Sequence, residues 1–176
     1  MKRTGLLAMA AAVALVTMAS AQGAILQFVA FPDGIQETPP VATPASGDAS
    51  MMVNDATGDW TLTGNFFNLL ANVTAAHIHG PAPPGTPAGV ITGGTLTPSA
   101  GTTGTLTGAG TLSALQFAEL TAGLYYVNVH SQFRPGGEIR GQLGLIPEPA
   151  TVVLFGVGAA GLLCVAWRRR RKPARQ

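Results

Sequence analysis

Glycine and proline punctuate the central part of the chain so closely that only short segments remain between them, and the clearest of these alternate apolar with polar residues. Trp60, Leu62, Gly64 and Phe66 alternate with Thr61, Thr63 and Asn65, while Tyr125, Val127 and Val129 alternate with Tyr126, Asn128 and His130. A period of two belongs to a strand with one buried face. The 23 glycines and 13 prolines are about a fifth of the 176 residues, against a usual ~12%. That density excludes a helical bundle and a coiled coil. A charged fraction of 10% beside 47% hydrophobic residues excludes a charged disordered tail.

Strands are therefore predicted at 25–31, 51–54, 60–66, 72–79, 90–97, 102–112, 124–130 and 138–145. Residues 38–50, with Pro39, Pro40 and Pro44, read as an extended stretch, and Gly80-Pro81-Ala82-Pro83-Pro84-Gly85 as a loop. Ser113 followed by Gln116 is a capping box, so 114–121 is the one predicted helical turn of the body, ending at Gly123. In the last strand Ile139, Leu143 and Leu145 are expected inward, and Arg140 and Gln142 outward. The expected fold is all-β, with about seven or eight strands forming a sandwich or closed barrel.

The ends carry a different message. Lys2 and Arg3, the apolar run 6–18 and Ala19-Ser20-Ala21 form a predicted signal peptide over residues 1–21, cut after Ala21 or Ala24. Residues 150–167 form an uncharged stretch followed at once by Arg168, Arg169, Arg170, Arg171 and Lys172. Such a stretch predicts one C-terminal transmembrane helix, with the basic cluster kept cytoplasmic and the body outside. Between the two ends, residues 22–146 hold two basic against seven acidic residues, a net charge of −5. A phosphate backbone needs clustered Lys or Arg on the folded body, so no nucleic-acid partner is expected. The single cysteine, Cys164, lies in the apolar stretch, so the body has neither a disulfide framework nor a thiol nucleophile.

Ile146-Pro147-Glu148-Pro149 cannot continue a strand or a helix, and so makes an extended break ahead of the apolar stretch. Pro147, Glu148 and Pro149, the apolar span and the terminal arginine cluster together resemble the bacterial PEP-CTERM sorting signal, here 146–176. The resemblance implies anchorage in the inner membrane after export, recognition by an exosortase, a membrane cysteine protease-transpeptidase, and passage to the cell surface or exopolysaccharide matrix. The partners it implies are thus the exosortase and secretion machinery, with exopolysaccharide or surface proteins afterwards.

The body, 22–145, resembles the CHRD domain through three blocks: Gln36-Glu37-Thr38-Pro39-Pro40, Ala76-His77-Ile78-His79-Gly80-Pro81, and Tyr126-Val127-Asn128-Val129-His130 followed by Pro135-Gly136-Gly137-Glu138-Ile139-Arg140-Gly141-Gln142. The resemblance implies an immunoglobulin-like or Cu,Zn-superoxide-dismutase-like β-sandwich. It implies no particular reaction.

His77, His79 and His130 are the only histidines. Alternate residues of a strand share a face, so His77 and His79 are placed to share one metal, copper or zinc, and His130 completes the set if its strand pairs with theirs. The competing reading has the imidazoles hydrogen-bonded to neighbouring loops, with Glu138 or the backbone as partners. Superoxide dismutase uses more histidines and an aspartate, so dismutase activity is not implied. Glu138 and Arg140 flank Ile139 on one face and read as an ion pair or a clamp for a polar ligand. No Ser-His-Asp order, recognisable carboxylate dyad, phosphate loop or Cys/His finger stands in the sequence. The expectation is a non-enzymatic binding or structural module without a cofactor, the alternative being a metal-binding or redox-related protein.

Overall fold

In the computed structural model, residues 23–147 are described, together with Gly158, Ala160, Gly161, Leu162, Leu163 and Trp167, which are helical. The predicted signal peptide, Glu148 and Pro149, most of the predicted span, and Arg168 to Lys172 lie outside the described residues. Among those described, no helix is long and apolar enough to cross a membrane.

The Gly- and Thr-rich strands are explained by how they pair. β3 (Asp59–Phe67) lies antiparallel to β6 (Gly104–Thr111), with Trp60 opposite Gly110, Leu62 opposite Gly108 and Gly64 opposite Leu106. Each large side chain thus meets a glycine. A Cβ on Gly108 or Gly110 would stand 3.0–3.2 Å from the Trp60 indole. The absent side chains are the space that the tryptophan fills.

The remaining elements are β1 (Ile25–Ala30), β2 (Ser46–Asn54), β4 (Val73–His79), β5 (Val90–Pro98), a helix α1 (Ala114–Thr121), β7 (Tyr126–Ser131), β8 (Ile139–Gln142) and β9 (Gly144–Leu145). All pairings are antiparallel, and the nine described strands follow the order β8-β7-β4-β5-β6-β3-β2-β1-β9. The chain from β8 to β9 nearly closes this sheet on itself: residues 139–142 pair with β7 at one edge, and 144–145 pair with β1 at the other. Asp33 fastens the seam, exchanging backbone hydrogen bonds with Arg140 at 3.1 and 3.0 Å, while Gly47 N donates to Pro32 O. Inside lie Phe28, Met51, Trp60, Leu62, Phe66, Ile78, Leu106, Val127, Val129, Ile139 and Leu143.

The all-β expectation stands, and the strand positions are close to those predicted. The strands form one continuous, nearly closed sheet, so the two-layer sandwich is not established. β2 begins at Ser46 rather than 51, because it pairs with β3 along its whole length, from Ser46 opposite Phe67 to Val53 opposite Trp60. Cross-strand pairing overrides the weak local signal of Ser, Gly and Asp. The predicted final strand is two, and Leu145 is exposed rather than inward. The capping box of α1 is present: Gln116 N donates to Ser113 Oγ at 3.2 Å and Ser113 N donates to Gln116 Oε1 at 2.9 Å. Gly123, at φ 72°, then ends the helix, its N–H bonding to Leu120 O.

β7 differs most from expectation. It was predicted to be half-buried, yet every one of its residues is buried. Tyr126, Asn128 and His130 do point away from the core, but loops 31–45, 80–89 and 132–138 bond to that outer face and to the strands beside it.

Candidate metal centre

The outer face of β4, β7 and β8 is a lattice of polar side chains fixed by strand register. His77 stands opposite Asn128, which stands opposite Arg140; His79 stands opposite Tyr126, which stands opposite Gln142; His130 faces Ala75. The three histidines therefore meet side by side on one face. One ring nitrogen from each lies within 4.8 Å of the others.

Two loops orient the rings. His79 Nδ1 is 2.9 Å from Ala88 O and His130 Nδ1 is 2.8 Å from Pro135 O. A carbonyl only accepts, so each Nδ1 carries a hydrogen and each Nε2 keeps its lone pair. His79 Nε2 is buried without a hydrogen-bond partner. His130 Nε2 is 3.1 Å from His77 Nδ1. Two imidazole ligands of a tetrahedral ion, each at ~2.0–2.1 Å, stand about 3.3 Å apart. This spacing serves a shared ion as well as a single N–H bridge.

Burial is the largest cause holding all three imidazoles below their usual pKa. Their mutual repulsion adds to the effect at His79 and His130, and the Arg140 charge adds to it at His79. Neutral imidazoles are the form that binds a metal. The Tyr126 ring stacks on His79 with centroids 5.2 Å apart, and the Arg140 guanidinium carbon lies 3.5 Å from the Tyr126 centroid.

Glu138 and Arg140 do not pair, and no ion pair joins them among the described residues. Glu138 is fully buried and accepts hydrogen bonds from Thr43 Oγ1 at 2.6 Å, Leu70 N at 2.8 Å and Ser131 Oγ. It fastens two loops to the sheet. Arg140 was expected on an exposed face, but it is only 2% exposed, because loop 80–89 closes over it.

Sequence reasoning did not single out Asn128, Tyr126 or Glu37 as site residues. Asn128 Oδ1 and Glu37 Oε1 are both buried acceptors without a partner. A Cβ placed on Gly137 would lie 2.5 Å from each. Burial raises the Glu37 carboxyl above its usual pKa, against the lowering effects of the Thr38 N–H, Arg140 and Arg134. The period-2 pattern had placed Asn128 and Tyr126 on the histidine face, but nothing in the sequence announced that this face is covered.

Comparison with known families gives two matches. The model of the CHRD domain matches residues 28–143, and that of the PEP-CTERM protein-sorting motif matches residues 145–171. No curated protein and no solved structure matches the chain.

Proposed function

The chain belongs to the CHRD-domain family and carries a PEP-CTERM sorting motif, and on that premise we propose that it is an exported, exosortase-processed surface protein whose sheet holds one zinc or copper ion on His77, His79 and His130. The sorting motif implies export and processing at a membrane. The observation that carries the metal reading is the lone pair of His79 Nε2, buried, unpartnered and beside the two other imidazoles. An isolated buried acceptor is unfavourable by about 1–3 kcal/mol, and a bound ion removes that penalty. His79 and His130 would bind through Nε2 and His77 through Nδ1, its proton then sitting on Nε2. The carbonyls of Ala88 and Pro135 act as the outer supports that orient metal-bound histidines.

Three imidazoles suit zinc and copper better than magnesium or calcium, which prefer oxygen ligands. The ion ties strands β4 and β7 and, through the two carbonyls, loops 80–89 and 132–138 into one unit. We read the domain as a non-enzymatic module that presents these loops at the cell surface, to exopolysaccharide or to other surface proteins. Glu138, the carboxylate nearest His130 in sequence, supports this reading because it is committed to three donors and is not free to act as a base.

The test is metal analysis of the full chain in neutral detergent after equilibration with zinc or copper and removal of free ion. Roughly one ion per chain is expected, with loss of the ion in His77→Ala and in His130→Ala. Retention of the same metal content by the triple His→Ala variant would overturn the assignment.

A further inference from the structure

On the far side of Asn128 from the histidines, a separate cleft of about 290 Å³ opens between loop 31–45 and loop 80–89, lined by Ile35, Glu37, Pro40, Pro84, Arg140 and Gln142 among others. Its size is near the lower bound of ~300–1,000 Å³ for small-molecule pockets. It has room for one compact ligand.

Arg140 is the only cation in this cleft, and its charge is poorly met. A guanidinium has five N–H donors. The Arg140 guanidinium makes one short bond, to Thr86 O at 2.9 Å, and three long ones, to Pro83 O at 3.3 Å, Gln142 Oε1 at 3.4 Å and Thr38 Oγ1 at 3.5 Å. Only the first falls within the ordinary N–H···O range of ~2.7–3.2 Å. Every partner is neutral. No carboxylate forms an ion pair with Arg140 among the described residues, although Glu37 lines the same cleft. Glu37 instead turns its buried Oε1 towards Gly137 and Asn128. Glu37 is near enough for the Arg140 charge to lower its pKa but makes no direct ion pair with it, so a carboxylate placed on the loosely bonded guanidinium would improve the pairing of a buried cation.

We propose that this cleft binds a small monocarboxylate, with the ligand's carboxylate on the Arg140 guanidinium and its body against Ile35, Pro40 and Pro84. A planar carboxylate matches the guanidinium fork. A monoanion brings one negative charge beside the Glu37 carboxyl, whereas a phosphate dianion would bring two into a cleft with a single cation. The apolar walls call for a compact hydrocarbon body rather than acetate alone. The Arg140 stack on Tyr126 keeps the guanidinium in place before the ligand arrives.

The probe is benzoate, with neutral benzamide as its isostere and inorganic phosphate as the competing anion, titrated by NMR into the full chain in neutral detergent. Benzoate is expected to bind with a Kd of about 1 mM or tighter, and benzamide and phosphate at least tenfold more weakly. Arg140→Lys keeps the charge, loses the fork and should weaken benzoate binding. Arg140 is buried and its variant can fail to fold, so Ile35→Trp is the second arm. Ile35 lines the cleft and is 81% exposed, so a larger side chain there is expected to obstruct the cleft with little effect on folding. Loss of benzoate binding in a folded Ile35→Trp chain supports the proposal. Equal binding of benzamide, preferential binding of phosphate, or undiminished benzoate binding by Ile35→Trp overturns it.

Discussion

His130 Nε2 stands 3.1 Å from His77 Nδ1 across two paired strands, although 53 residues separate them in the chain. The contact follows from register: His130 faces Ala75, two residues before His77 on the same face of β4. A shift of one residue in this pairing would move His130 to the other face of the sheet. The site is thus a property of the β4–β7 pairing.

The protonation behaviour of the cluster follows from its burial. The imidazoles have folded pKa values below 6.5, so each binds its proton more weakly folded than unfolded. Their contribution to stability is present above pH 6.5 and is lost as the pH falls through the folded values. Glu37 has the opposite sign: its folded pKa lies above 4.5, so its contribution is present below 4.5 and is lost as the pH rises through the folded value. NMR titration of the metal-free chain should find all three imidazole midpoints below 6.5. Replacing the histidines with glutamine should reduce the loss of stability on mild acidification.

Gly137 is predicted to be irreplaceable even by alanine. At φ 129° an L side chain is strained, and its Cβ would lie 2.5 Å from Glu37 Oε1 and Asn128 Oδ1. Gly137→Ala should destabilise the chain by about 1–3 kcal/mol. Because Pro135 on the same loop orients His130, the variant should also retain less zinc. Chemical denaturation and metal analysis of one sample would test both effects.

Val127 tests the interior. It is fully buried between Ile78 and Gly141 in the strand order and belongs to the core. Val127→Asp would place a carboxylate there without a partner, and should destabilise the fold by about 3 kcal/mol or more. An unchanged denaturation midpoint would mean that the inner face has been wrongly assigned.

For the sorting motif, mass spectrometry of protein released from the cell surface should detect no peptide beyond the Pro147-Glu148-Pro149 region. Replacing these three residues with alanines should leave uncut chain in the membrane fraction. An intact arginine tail on surface-released protein would contradict exosortase processing.

Much of this was legible in the sequence, for identifiable reasons. Trp60 to Phe66 alternate strictly, and alternation reports directly on a half-buried strand; the alternation around Val127 marked the strand and its inner face but not the loops that cover its other face. The Ser113–Gln116 box is a local signal for a local structure, and it marked α1. The start of β2 was not legible, because Ser46, Gly47 and Asp48 become a strand only through their partners on β3. The burial of Arg140 was missed for a related reason. Loop 80–89 closes over it, and the Pro-rich sequence of that loop states that it is neither helix nor strand without stating where it lies. The pairing of His77 with His79 followed from spacing, but the arrival of His130 depended on a strand pairing that no local pattern encodes.

The most direct measurement is X-ray absorption at the zinc edge of the zinc-loaded full chain. The account predicts a first shell containing three imidazole nitrogens at about 2.0–2.1 Å, reduced when His130 is replaced by alanine. A shell of oxygen ligands without imidazole scattering, or one unchanged in His130→Ala, would contradict a metal centre on His77, His79 and His130.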